Sequence, residues 1–171
     1  FLFWEFNTGK ARTLRNSISN PNTQNWPRAM REVVVSRFPS GLLQHSDASQ
    51  LEPRFLAHKA KCKRLLELFN DPKRRSIYLL VAPDVFGRPI DRKKDALLYL
   101  FVKKLVLATN YNATLDKLIE TAKADGIEID DETMTRAFRR YQRGYTEIFD
   151  YAEDCKRRVI RDQQIVCSTG F

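Results

Sequence analysis

Gly126-Ile127-Glu128-Ile129-Asp130-Asp131-Glu132-Thr133-Met134-Thr135-Arg136-Ala137-Phe138 is the stretch on which the fold turns. Gly126 stands where an ending helix favours a left-handed residue. Asp130 or Asp131 then offers a carboxylate to the free N–H groups of a new helix. Met134, Ala137, Phe138 and Tyr141 follow at helical spacing and define one apolar face. The same punctuation, Gly-x-x-Ile-Asp, occurs 39 residues earlier at Gly87-Arg88-Pro89-Ile90-Asp91. Two turns, Asn110-Tyr111-Asn112 and Gly144-Tyr145-Thr146, lie 34 residues apart. This spacing predicts stacked antiparallel helical hairpins over about 52–86, 91–125 and 130–164, a solenoid with a continuous core.

Working outward, a first helix is expected from Asn25, with Pro27 in its first turn. Met30, Val33, Val34 and Phe38 form its apolar face, and Pro39 and Gly41 end it. A second runs from Leu51 to Phe69 with Phe55, Cys62, Leu65, Leu66 and Phe69 on one side. Asp71-Pro72 opens a third, which carries Ile77, Leu80 and Val81 and ends at Pro83 and Gly87. The fourth, Asp91 to Ala108, bears the broad stripe Leu97, Leu98, Phe101, Leu105 and Val106 and should be the most buried. Asn112 caps the fifth, with Leu115, Leu118, Ile119 and Ala122 facing inward. The sixth opens at Asp130 or Asp131, and the seventh covers Thr146 to Arg161. No strand-like alternation is evident. The expected fold is all-α with about seven helices: an extended arm over 1–24, a helical-repeat domain over 25–164 and a tail over 165–171.

The 171 residues are 43% hydrophobic, enough for a core, and 30% charged, so most helices should be amphipathic. A net charge of +9 admits an acidic partner such as nucleic acid, and it is also common in the mitochondrial matrix. Cys62, Cys155 and Cys167 are widely spaced and form no Cys-x-x-Cys pair, which argues against a zinc site or a disulfide framework. The longest apolar run, Ala96 to Ala108, is broken by Lys103 and Lys104 and is too short to span a bilayer; no direct membrane insertion is expected.

The arm is the candidate binding element. Phe1, Leu2, Phe3, Trp4 and Phe6 cluster ahead of a polar run from Asn16 to Asn25, and so much apolar surface must be covered by the core or by a partner. Trp26 reads as a staple onto the core. No residue reads as catalytic, cofactor-binding or metal-binding, and no cofactor is expected. There is no phosphate loop, no His-Glu-x-x-His and no nucleophile elbow. His45 sits in a loop with Ser46 and Asp47, and His58 lies on a helix surface. Asp130, Asp131 and Glu132 suit a helix start. Asp150, Glu153 and Asp154 form a weak acidic strip.

The junction Ala124 to Phe138, followed by Arg143-Gly144-Tyr145, resembles the pentatricopeptide repeat, with Ile129 in place of the usual proline. That family binds single-stranded RNA through a polar residue early in each repeat. The corresponding positions here are Arg136 and Leu97, and leucine cannot read a base edge. Basic clusters at Lys59–Arg64, Lys73–Arg75, Arg92–Lys94, Arg139–Arg143 and Lys156–Arg158 could meet RNA phosphates instead. Size, repeat type and helix number are similar to those of the euglenozoan-specific subunits attached to the catalytic head of mitochondrial ATP synthase. This resemblance implies a non-catalytic accessory subunit of the mitochondrial matrix, peripheral to the inner membrane, docked on the α subunit through the arm. The alternative it implies is a mitochondrial ribosomal or RNA-associated protein.

Overall fold

A computed structural model describes residues 5–8, 16–44, 48–73 and 75–163. The chain divides into two units, residues 1–47 and 48–171. The predicted arm boundary at residue 24 falls within the first.

In the first unit, strands β1 (Glu5–Asn7) and β2 (Ser17–Ser19) pair antiparallel, with Phe6 opposite Ile18. The Asn7 amide donates to the Ser19 hydroxyl at 2.9 Å, and that hydroxyl donates to Glu5 at 3.2 Å. The sequence reading found no strand, because three residues are too few to show alternation. The helix expected from Asn25 to Phe38 contracts to one turn, α1 (Arg28–Arg31). Val33-Val34-Val35 is a β-branched run that resists helix. Val33, Val35 and Phe38 are exposed, so no buried face supports a longer helix there.

Seven longer helices are described in the second unit. They are α2 (Leu51–Lys59), α3 (Lys63–Phe69), α4 (Ile77–Phe86), α5 (Ala96–Asn110), α6 (Leu115–Ala124), α7 (Asp131–Gly144) and α8 (Thr146–Asp162). Three of them stop by one device. A left-handed residue, Lys61, Asn112 or Gly126, follows the C-cap, and the next residue's N–H reaches back to the carbonyl of Ala57, Ala108 or Ala122. The helix expected over 51–69 is therefore two helices, broken at Lys61. Asn112 ends α5 instead of opening α6, whose N-cap is Thr114, with its hydroxyl accepting from the Lys117 N–H at 3.3 Å. Asp130 does cap α7, accepting from the Thr133 N–H at 2.7 Å.

Pro83, expected to end the third helix, lies inside α4, which continues to Gly87 in a left-handed conformation. At the other end of α4 the Gln50 side-chain oxygen accepts the Ile77 N–H at 2.8 Å, satisfying one of the unpaired donors of that terminus. Ile77, Tyr78, Val81, Ala82 and Val85 are all buried. A helix so apolar must be enclosed, and α4 packs against α3, α5 and α7, while α2 packs against α5 and α8. The first predicted hairpin thus touches the third directly. Helices α3, α5 and α7 gather around α4, and the expected linear solenoid is not shown. Phe101, Leu105, Leu118, Met134, Tyr141, Tyr145 and Ile148 complete the core. Among the described residues no helix is long and apolar enough to cross a membrane.

Candidate nucleic-acid interface

Helix α5 buries Phe101, Val102, Leu105, Val106 and Thr109. The periodicity of the helix then turns Leu100, Lys104, Leu107 and Tyr111 to the opposite side. Together with Lys103 and Ala108 they form one wall of a groove, and Thr121 and Asp125, with Ile127 beyond the α6 terminus, form the other. The groove holds about 490 Å³. Leu100 is 46% exposed and Tyr111 55% exposed, so an aromatic edge and an aliphatic floor face solvent. Lys104 is ion-paired with Asp125 across the rim. Lys103 is exposed and has no ion pair among the described residues. An apolar slot with an aromatic ring at its mouth and a cation at its edge suits a flat ring joined to an anion, which is the chemistry of an unstacked nucleotide.

A second charged feature lies on α7. Glu132, Arg136, Arg139 and Arg143 recur every three or four residues along one outer stripe, with Thr135 and Arg140 at its flanks, around a recess of about 470 Å³. The opposite face of α7 is buried through Met134, Ala137, Phe138 and Tyr141, which fixes the stripe. Arg136 pairs with Glu132 at 2.6 Å. Arg139, Arg140 and Arg143 make no ion pair with a described residue. Arg140 lies against Gly87, its guanidinium 3.1 Å from where a Cβ would stand.

Elsewhere the basic clusters named from sequence are ion-paired in part. Arg75 pairs with Asp71 at 2.9 Å, Lys156 with Glu153 at 2.5 Å and Arg158 with Asp154 at 3.0 Å. Arg92 lies over the Tyr99 ring at 5.3 Å. Arg64 makes a bidentate pair with Asp84 at 2.9 and 3.2 Å, and the Tyr145 hydroxyl donates to the same carboxylate at 2.5 Å. Partial burial pulls the Asp84 pKa upward, but the hydrogen bonds from Arg64 and Tyr145, with the Arg64 and Arg140 charges, outweigh it and hold the carboxyl below its ordinary value. Burial pushes the Cys62 thiol up to about 11, and the neighbouring Glu147 carboxylate adds to this. Cys62 is a core residue, as its place on an apolar face implied.

Of the five predicted arm residues, Phe1, Leu2, Phe3 and Trp4 lie outside the described residues, as do His45, Ser46 and Asp47. Phe6 sits in β1 and is 67% exposed. Trp26 is half-buried. Among the described residues no group of three or more His, Cys, Asp or Glu side chains could hold a metal ion. The groove was missed from sequence because α5 was read as the most buried helix. The signal was the Lys103-Lys104 pair interrupting the apolar run, which marks where that helix meets solvent.

The family model described as "DNA polymerase family A" matches residues 2–170. DNA polymerase I of Synechocystis sp. is 28% identical over 177 aligned residues, covering 97% of this chain and 16% of that protein. DNA polymerase I of Mycobacterium tuberculosis is 28% identical over 163 residues, covering 92% and 17%. DNA polymerase I of Bacillus subtilis is 34% identical over 98 residues, covering 54% and 11%. The chain thus spans less than a fifth of the length of these relatives. This match overturns the pentatricopeptide resemblance. With it fall the docking on the ATP synthase α subunit, the RNA-associated alternative and the non-enzymatic classification, since the related proteins are DNA polymerases. Of the two Gly-x-x-Ile-Asp stretches only the second opens a helix, at Asp130; after Asp91, expected to cap the fourth helix, a turn intervenes and α5 starts at Ala96 behind Asp95. Such punctuation is common to unrelated helical proteins. On a match that runs from residue 2 to residue 170, the chain belongs to DNA polymerase family A.

Proposed function

We propose that this chain is a DNA-contacting segment of a family A polymerase, and that the α5–α6 groove receives an unstacked base of the DNA. The observation that carries this reading is the combination of exposed Tyr111, the Leu100 and Leu107 floor and the exposed Lys103 in a groove of nucleotide scale. The base would lie against the tyrosine and leucines, where stacking is tolerant of sequence. Lys103 would meet the adjoining phosphate, and Lys104, tied to Asp125, would hold the rim in place. DNA synthesis by a protein that contains this segment follows as part of the same proposal. The family match and the basic charge of the chain support it.

Two sequence expectations continue as proposals within this frame. The exposed Phe6 on β1 suits a contact with other parts of a polymerase, as do Phe1, Leu2, Phe3 and Trp4 by composition. The division into arm, helical domain and tail remains the working description of the chain. With the ATP synthase resemblance gone, the mitochondrial matrix location is supported by the net charge of +9 alone.

Tyr111→Ala removes the stacking surface from an exposed position and should leave the fold intact. Fluorescence anisotropy with a labelled single-stranded oligonucleotide should show affinity falling about tenfold, the value of one base–aromatic stack. An unchanged affinity would remove the groove from the DNA-binding surface.

A further inference from the structure

We propose that the arginine stripe of α7 is a second nucleic-acid contact, which grips successive backbone phosphates of one DNA strand. The inference rests on the reading of the chain as a DNA-contacting segment but uses a different surface from the groove. Three observations carry it. First, Arg136, Arg139 and Arg143 repeat along one face, so their Cα atoms span about 10 Å of helix axis. That is the axial length of about three nucleotides of one strand. Second, positive charge is concentrated here. Four guanidiniums surround the recess and Glu132 is the one carboxylate that lines it. Glu132 pairs with Arg136 and the Asp84 carboxylate acts on Arg140, which leaves Arg139 and Arg143 without an acidic partner among the described residues.

Third, the helix that carries the stripe is anchored. Its other face is in the core, and the exposed Arg140 guanidinium lies against Gly87. Guanidinium groups bind phosphate oxygens through paired N–H donors, and a concave row of them selects a chain of phosphates over a single carboxylate. The recess has no exposed aromatic or aliphatic lining, so it takes the backbone and reads no base.

The test uses the full 171-residue chain and a labelled DNA duplex with a single-stranded extension, titrated between about 50 and 200 mM salt. Compared are the unaltered chain, the double variant Arg139→Gln/Arg143→Gln, the variant Arg139→Lys/Arg143→Lys and Tyr111→Ala, with circular dichroism checking that each is folded. The glutamine pair should flatten the slope of log K against log salt by about 2, because each lost phosphate contact removes about 0.9. Over that range the salt sensitivity falls by about 12-fold. The lysine pair should keep the slope, and Tyr111→Ala should weaken binding without changing it.

A glutamine pair with the slope of the unaltered chain overturns the stripe proposal, even if Tyr111→Ala weakens binding and the groove stands. A flattened slope with no effect of Tyr111→Ala supports the stripe and removes the groove. If inorganic phosphate binding is lost in the glutamine pair while the DNA slope is unchanged, the recess holds a free anion and the proposal fails. Absence of DNA binding by the unaltered chain defeats both readings.

Discussion

Replacing Asp84 with alanine is expected to destabilise the folded chain by about 3 kcal/mol, read as a shift in the urea unfolding curve. Asp84 projects from α4 and ties it to α3 through Arg64 and to the α7–α8 junction through Tyr145. Tyr145 is fully buried, so loss of the carboxylate leaves its hydroxyl without an acceptor, a penalty of about 1–3 kcal/mol. The Arg64 pair adds less, because the arginine side chain is half exposed.

Asp84→Asn keeps an acceptor for Tyr145 and should cost about half as much. The pH dependence follows from the depressed pKa. The Asp84 contribution is fully present above the ordinary carboxylate value of about 3.9 and disappears as the pH falls through the lower folded value. A cost for Asp84→Ala below about 1 kcal/mol would reduce the cluster to an ordinary surface ion pair.

Phe101→Ala should be more damaging, at about 4 kcal/mol. Phe101 is fully buried at the middle of α5, with its ring 6.3 Å from that of Phe86 on α4. Truncation removes apolar contacts and leaves a cavity that the neighbouring α4 cannot fill, because Val81, Ala82 and Val85 are already close-packed. The groove residues ride on the same helix, so the variant should also bind DNA more weakly. Phe101→Leu, which retains most of the volume, should cost clearly less and preserve binding. Similar unfolding curves for the alanine variant and the unaltered chain would show that α5 is not anchored as described.

The helical part of the fold was readable where one residue type answers one backbone need. Gly126 is left-handed at φ +73°, and Asp130 caps α7. Met134, Ala137, Phe138 and Tyr141 are buried as their spacing required. Reading failed where a residue does something unusual for its type. Lys61 adopts a left-handed conformation that lysine rarely takes, and it splits one expected helix into two. Asn112 suits both a helix start and a left-handed stop, and the wrong choice moved the α5–α6 junction.

The helical class was legible, but tertiary arrangement was not. Periodicity reports that α4 is apolar, and the fact that it is enclosed by α3, α5 and α7 depends on contacts distant in sequence. The same limit explains the mistaken family. Punctuation at about 35-residue spacing is common to helical hairpins in general. Of the candidate site, only the Lys103-Lys104 interruption and the Arg139–Arg143 cluster were visible. The groove itself exists only once α6 and Ile127 close against α5.

The proposed contact of this segment with DNA lies in the second unit, at the α5–α6 groove. The most direct measurement is photocrosslinking of the full chain to an oligonucleotide carrying a photoreactive base, with the adducts located by peptide mass spectrometry. Adducts are expected on Tyr111 and its groove neighbours Leu100, Lys103 and Leu107. Adducts confined to residues 1–47, or none at saturating DNA, would contradict that contact.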